Sequence, residues 1–284
     1  MTVYMDAILG TAQLSVPYGV LSDSVQARGQ DPVDLIRAAV EAGFVALDTA
    51  PAYGSAETLI GASGIDCPVH TKLDPTMEPA ESLAASLDRL RRDAVDVVYL
   101  HDPEAAIRDG GSAVTRTRQL IGSGAYRLGV SVYSEDALLA GIANPHVDVI
   151  QLPVNPINTH LYRLALKAQN REVTIIGRST LAQGLLTADP RSVPAHLPSL
   201  RLAIERFQGL SAEFGMSALQ IAVGWSRGLI GLNGIVVGLT STSQVAEYMD
   251  ALLSPPLDQN VLEGLTHLPD VPLEELDARN WTRS

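Results

Sequence analysis

The chain is poor in several features that would each have pointed to a particular function. Cys67 is the one cysteine among 284 residues. It excludes an intramolecular disulfide framework and any cysteine-rich zinc module, and it agrees with a reducing, cytoplasmic setting. Basic side chains are scarce: 20 Lys and Arg face 32 Asp and Glu, giving a formal charge of -12. Such a surface repels phosphate backbones and anionic headgroups, so nucleic acid and membrane are not expected as main partners, and a small molecule is. Aromatic residues make up 5 %, with three Phe and two Trp, so a pocket packed with aromatic rings is not expected. No run reaches the roughly 18 apolar residues of a membrane span. Met1 to Leu9 contains Asp6 and no basic segment ahead of an apolar one, unlike a signal peptide. Apolar residues are plentiful instead, at 46 %. That is enough for a sizeable core.

Short aliphatic runs recur, each followed by a turn and a longer segment of helical spacing. They begin near Met5, Phe44, Val69, Val95, Tyr126, Val147, Val173 and Gly234. Between them lie helix-like segments over 32–43, 78–93 and 112–124. In the first, Val33, Ile36, Ala39 and Val40 share one face. Near-continuous hydrophobic strands alternating with helices indicate a parallel sheet covered on both sides. Eight such units close into a (β/α)8 TIM barrel, an α/β fold, here a single domain over 1–284. A doubly wound open sheet is the runner-up, but the turn after the first strand reads GTAQLSVPYG and has no GxGxxG pattern. The interval between the last two strands is unusually long. It holds a Pro-rich stretch and helical segments over 200–214 and 217–227, and is read as an insertion, 187–215, after strand seven. The insertion either shapes a site mouth or is a surface excursion. A tail over 253–284 follows, with a short helix expected over 261–268.

In a barrel, residues at the C-terminal ends of strands face the active site. Asp48, Tyr53, Lys72 and His101 arrive there from three adjacent strands. Each has an ordinary reading: a helix cap, a half-buried ring, a solvated cation, a satisfied histidine. Together they make a proton-donating site. An ammonium beside a phenol lowers the phenol's pKa, a buried lysine needs a counter-ion such as Asp48, and a neutral histidine can orient a carbonyl oxygen.

The stretch LDTAPAYGSAETLIG (47–61) resembles the signature of the aldo-keto reductases. Further similar segments follow in order: TKL (71–73), YLHDPE (99–104), LGVSVYS (128–134), IQLPVN (150–155), IIGRSTLAQGLL (175–186) and VVGLTSTSQVAEYM (236–249). The resemblance implies a nicotinamide-dependent oxidoreductase that reduces an aldehyde or ketone and binds NADPH without a Rossmann turn. Tyr53 would be the general acid, Lys72 and Asp48 its tuning pair, and His101 the carbonyl-orienting donor. Ser131 and Gln151 would meet the carboxamide. Arg178 stands where many members place an aromatic ring against the nicotinamide, and a planar guanidinium can also stack. Ser179, Leu181 and Gly184 would hold the pyrophosphate, and Thr11 would be a further cofactor contact. Gly238, Ser241, Thr242 and Gln244 would hold the adenosine end. Val132 replaces a common Asn. The stretch 238–247 has no Lys or Arg for a 2′-phosphate and includes Glu247, so NADH is an alternative cofactor.

Two other function classes compete with this one. A metal-dependent barrel hydrolase would draw on His70, His101 and Asp102, but no HxH or HExxH pattern is present; no metal is expected. A cofactor-sensing regulatory protein would keep the fold but often loses part of the acid–base set, which is complete here. The opening ILGTAQLSVPYGV (8–20) is similar to bacterial members associated with sugar metabolism, so a sugar derivative is the expected substrate, in either reaction direction. The short segment before the first strand leads us to expect a barrel floor that is open or covered by the tail.

Overall fold

In the computed structural model, which describes residues 5–21, 24–25, 28–102, 111–168 and 172–281, eight parallel strands form a closed barrel in sequence order. They are β1 (Asp6–Gly10), β2 (Ala46–Asp48), β3 (Val69–Leu73), β4 (Val95–Leu100), β5 (Ala125–Ser131), β6 (Val149–Pro153), β7 (Thr174–Arg178) and β8 (Gly234–Gly238). Closure is made by β1 against β8, with Asp6 opposite Gly234 and Gly10 opposite Gly238. Around the barrel run α1 (Pro32–Ala42), α2 (Ala56–Ser63), α3 (Pro79–Leu90), α4 (Ser112–Arg118), α5 (Glu135–Ala143), α6 (His160–Ala168), α7 (Pro198–Phe214), α8 (Ala218–Arg227), α9 (Thr242–Leu253), α10 (Gln259–Thr266) and α11 (Leu273–Leu276). The fold is a (β/α)8 barrel with a long insertion after strand seven. No helix of the described residues is long and apolar enough to cross a membrane.

The local chemistry explains the boundaries. Asp31 caps α1 by accepting from Val33 N at 2.8 Å, Pro32 occupies the first turn, and Gly43 ends the helix at φ 107°. Ser217 and Gln220 form a reciprocal capping box on α8. The segment 112–124 is helical only as far as Arg118, after which turns lead into β5; apolar spacing continues there, but the chain is already descending to the next strand. Gly61 lets α2 lie close to α3, because a Cβ there would stand 2.3 Å from the Arg89 carbonyl oxygen. Thr71 and Arg89 both donate to the buried Glu57 carboxylate, at 2.6 and 2.7 Å, pinning α2 to β3 and α3.

Side chains alternate along each strand. Leu47, Val69, Leu73, Val98 and Ile150 join the layer between barrel and helices, whereas Ile8, Ala46, Val97, Tyr99, Val149 and Ile176 fill the barrel. The same parity carries Asp48, Lys72, Gln151 and Arg178 inward at the C-terminal rim. A separate core joins the insertion to the tail: Leu197, Ile204 and Phe207 pack with Val261, Leu265 and Trp281. The tail therefore runs to the C-terminal face, beside Tyr133 and Arg178, which removes the second of the two expectations for the floor, that the tail covers it. Residues 1–4, on which the expectation of an open floor depends, lie outside the described residues, as do Pro103 and Glu104 of the 99–104 motif.

Candidate active site

Asp48 is the hub of the site. Its Oδ1 accepts from Lys72 Nζ at 2.5 Å, with side chains only 4 % and 2 % exposed. Its Oδ2 accepts from Gln151 Nε2 at 2.8 Å, and Gln151 Oε1 accepts from Ser131 Oγ at 3.2 Å. The Asp48 carbonyl oxygen takes both the amide and the hydroxyl of Thr11, each at 2.9 Å. Lys72 Nζ also donates to the Thr49 carbonyl at 2.9 Å. Helix α2 has Ser55 at its cap position, so Asp48 is not a helix cap. Gln151 has a role that spacing alone did not disclose: it locks the second oxygen of Asp48 from 103 positions away along the chain.

Tyr53 sits in the turn after β2, where Ser15 Oγ donates to its carbonyl oxygen at 3.1 Å and accepts from Ser55 N at 3.1 Å. Its half-buried ring lies 4.9 Å from Lys72 Nζ and meets Tyr18 and His101 edge-on, at 6.2 and 6.3 Å between centroids. The aromatic-poor composition thus conceals a local concentration of rings. Burial pushes the Tyr53 phenol up from its ordinary value, and the opposing pull of Lys72 does not overcome it. The expectation of a net lowering is corrected accordingly. Lys72 itself is held above its ordinary value: burial opposes its charge, but Asp48 and Tyr53 outweigh burial. His101 is pushed down to about 4, by burial first and then by Lys72, so it is neutral across the physiological range. His70 is also pushed down to about 4 by burial; it lies inside the barrel beside Tyr99, at 6.1 Å. Among the described residues, no group of three or more His, Cys, Asp or Glu is placed to hold a metal ion.

A cavity of about 410 Å³ runs from Asp48 and Tyr53 to the start of α9. Thr11, Gln151, Arg178, Ser179, Leu181, Gly184, Gly238 and Gln244 line it. Lys72 and Ser131 stand behind Asp48 and Gln151, and His101 stands at the edge of Tyr53. Ser241 caps α9 by accepting from Gln244 N at 3.2 Å, and Thr242 N donates to Gln30 at 3.4 Å; neither Ser241 nor Thr242 is a lining residue. The cavity wall between β7 and α7 is unusual. Ser179, Ala182 and Gln183 have φ of 59°, 47° and 54°, followed by Gly184 at 89°. Non-glycine residues rarely adopt this region, and such strain clusters at ligand sites. Thr180, on the same wall, has a buried hydroxyl without a partner. These features fit a loop that wraps a large polar ligand. Arg28, from the loop after β1, lines the same end of the cavity as Thr240, Gln244 and Glu247. The local sequence had no sign of it.

Arg178 Nη2 donates to the Val132 carbonyl at 3.1 Å, and its guanidinium lies 4.0 Å over the Tyr133 ring. Arg279, held by Asp277 at 2.5 Å, lies 4.6 Å from the same ring. A second cavity, of about 530 Å³, is lined by Tyr133, Arg178 and residues of the tail.

A sequence model of the Aldo/keto reductase family matches residues 7–268. An aldo-keto reductase of Mycolicibacterium paratuberculosis is 29 % identical over 230 residues, 76 % of this chain and 75 % of that one. L-galactose dehydrogenase of Arabidopsis thaliana is 27 % identical over 284 residues, covering 88 % and 86 %. Among solved structures, the holo form of an aldo-keto reductase from Bacillus halodurans superposes with a TM-score of 0.70 at 17 % identity, covering 94 % of this chain and 93 % of that one.

Proposed function

Since the chain belongs to the aldo/keto reductase family, and is on that ground an NAD(P)-dependent oxidoreductase, we propose that it reduces an aldehyde or ketone with NADPH, using Tyr53 as proton donor. The observation that carries this reading is the buried Asp48–Lys72 pair beneath Tyr53, at one end of a cleft that runs to the start of α9. The cofactor, when bound, supplies hydride to the carbonyl carbon. Tyr53 gives its phenolic proton to the carbonyl oxygen. Lys72 stabilises the phenolate left behind, and Asp48 keeps Lys72 charged. His101, neutral, donates a hydrogen bond that orients the oxygen. Positioning and charge stabilisation carry most of the rate. Carbonyl-dependent loss of the reduced-nicotinamide absorbance is the expected result with an aldehyde panel; no turnover with any aldehyde, ketone or sugar would end the proposal. A sugar-derived substrate is supported by the likeness of residues 8–20 to sugar-metabolising members and by the name of the plant relative. A buried free Cys67 is in keeping with a cytoplasmic place of action.

Cofactor choice turns on Arg28. The stretch 238–247 lacks a cation and brings Glu247 to the cleft, which would repel a 2′-phosphate; Arg28 reaches the same end from across the barrel closure. We expect Arg28→Ala to weaken NADPH binding about tenfold, the lower range for a charge-assisted contact, while NADH affinity is unchanged. Fluorescence quenching titrations with both nucleotides check this, and equal effects on the two would remove Arg28 from the phosphate site.

A further inference from the structure

Arg178 has no part in the proton transfer described above, which is complete without it. It closes β7 and stands where the two cavities meet, lining both. Among the described residues it makes no ion pair; its polar contact is with a neutral carbonyl, that of Val132. Its neighbours' charges cancel locally, Lys72 against Asp48 and Arg279 against Asp277. Glu135, Asp136 and Glu274 line the second cavity and Asp277 is within electrostatic reach of Arg178, but among the described residues none of these carboxylates makes an ion pair with the guanidinium. A half-buried guanidinium without a carboxylate is a costly thing to keep, and it costs less where a ligand brings the counter-charge. The charge is felt at the reacting end as well: Arg178 is among the groups acting on both His101 and Tyr18. The Tyr133 ring backs the guanidinium, and the Asp277-anchored Arg279 lies over the same ring.

We propose that Arg178 is an anion subsite, and that among sugar-derived and other small carbonyl compounds those carrying a carboxylate are preferred, such as short oxo acids and acid aldehydes. Their carbonyl oxygen lies at Tyr53 while the carboxylate pairs with Arg178. The assignment deepens the reading of Tyr53 as proton donor and rests on it. A planar guanidinium takes a carboxylate through two parallel hydrogen bonds, which fixes direction as well as distance. The carboxylate makes and breaks no bond: NADPH is the reductant, hydride adds to the carbonyl carbon, the Tyr53 proton adds to the oxygen, and the product is a hydroxy acid.

The test compares butanal with succinic semialdehyde, which differ by the terminal carboxylate, using the NADPH-loaded protein. The expected kcat/KM favours the acid by about 10–100-fold, the range for one charged hydrogen-bonded pair. Arg178→Met is expected to erase the difference between the two substrates, and Arg178→Lys to keep part of it. A second readout does not depend on turnover: calorimetric binding of unreactive succinate to the unaltered protein, lost in Arg178→Met. Equal turnover of both aldehydes with no succinate binding would overturn the subsite and leave the reductase reading standing. Succinate binding through Arg178 without reduction of any carbonyl would support the subsite and sink the reductase reading instead. A phosphorylated aldehyde preferred over the acid would overturn the choice of carboxylate.

Discussion

Replacing Tyr53 by phenylalanine is expected to lower kcat for carbonyl reduction by about 10²–10⁴-fold, the usual contribution of a positioned general acid, with NADPH affinity unaltered. Phenylalanine keeps the ring, so the edge contacts with Tyr18 and His101 survive and only the hydroxyl is lost. The loss should therefore appear in kcat and not in thermal stability. The electrostatics add a pH signature. Burial holds the Tyr53 phenol protonated beyond its ordinary range, and burial with Lys72 keeps His101 neutral down to about 4. A general acid is lost only above its own pKa, and a neutral hydrogen-bond donor only below its own. Reduction is accordingly expected to be flat from about pH 5 to about pH 9, bounded by these two groups. Stopped-flow measurement of NADPH oxidation across that range checks both statements. Full activity in Tyr53→Phe, or a break near pH 6.5 that reports an ordinary histidine, would sink the assignment.

How much of this was legible in the sequence depends on the range of the interaction involved. Strands buried on both sides are written as unbroken aliphatic runs, so VDVVYL and GIVVG mark β4 and β8 at their first residues. The inward parity of Asp48 and Lys72 follows from the period of two, and their pairing follows once the strands are adjacent. Contacts that depend on closure are different in kind. Arg28 reaches the α9 end of the cleft only because β1 pairs with β8, and Gln151 reaches Asp48 only across the barrel mouth. No local pattern encodes either. The direction of the Tyr53 shift is hidden for a related reason: a neighbouring cation follows from motif order, whereas the degree of burial that outweighs it is a property of the packed rim. The docking of the tail on the insertion has no local pattern either, because Trp281 packs in one core with Leu197, Ile204 and Phe207 from a distant segment.

Asp48 and Lys72 should be the most costly pair in the molecule to separate. Both side chains are nearly sealed from water, so removing one leaves a buried charge without its partner, which costs about 3–5 kcal/mol. Urea unfolding is expected to show a loss of that size for Asp48→Asn and again for Lys72→Met, alongside the collapse of kcat. The double variant is expected to lose less than the two singles together, because an amide beside a thioether strands no charge. The pH dependence separates electrostatics from packing. In the native protein the Lys72 pKa is raised above its unfolded value, so its contribution is fully present below about pH 10.5 and fades as pH rises through the folded value. With Asp48 made neutral, burial is the dominant influence and carries the folded pKa below the unfolded one. The unfolded chain then binds the extra proton between the two values, and stability must rise with pH across that window. Melting temperatures measured from pH 7 to pH 9.5 should accordingly climb for Asp48→Asn relative to the native protein. Parallel curves would mean that Lys72 stays charged without Asp48, and the same lysine would then still stabilise the Tyr53 phenolate. In that case Asp48→Asn should retain most of its kcat, so the thermal and kinetic results stand or fall together.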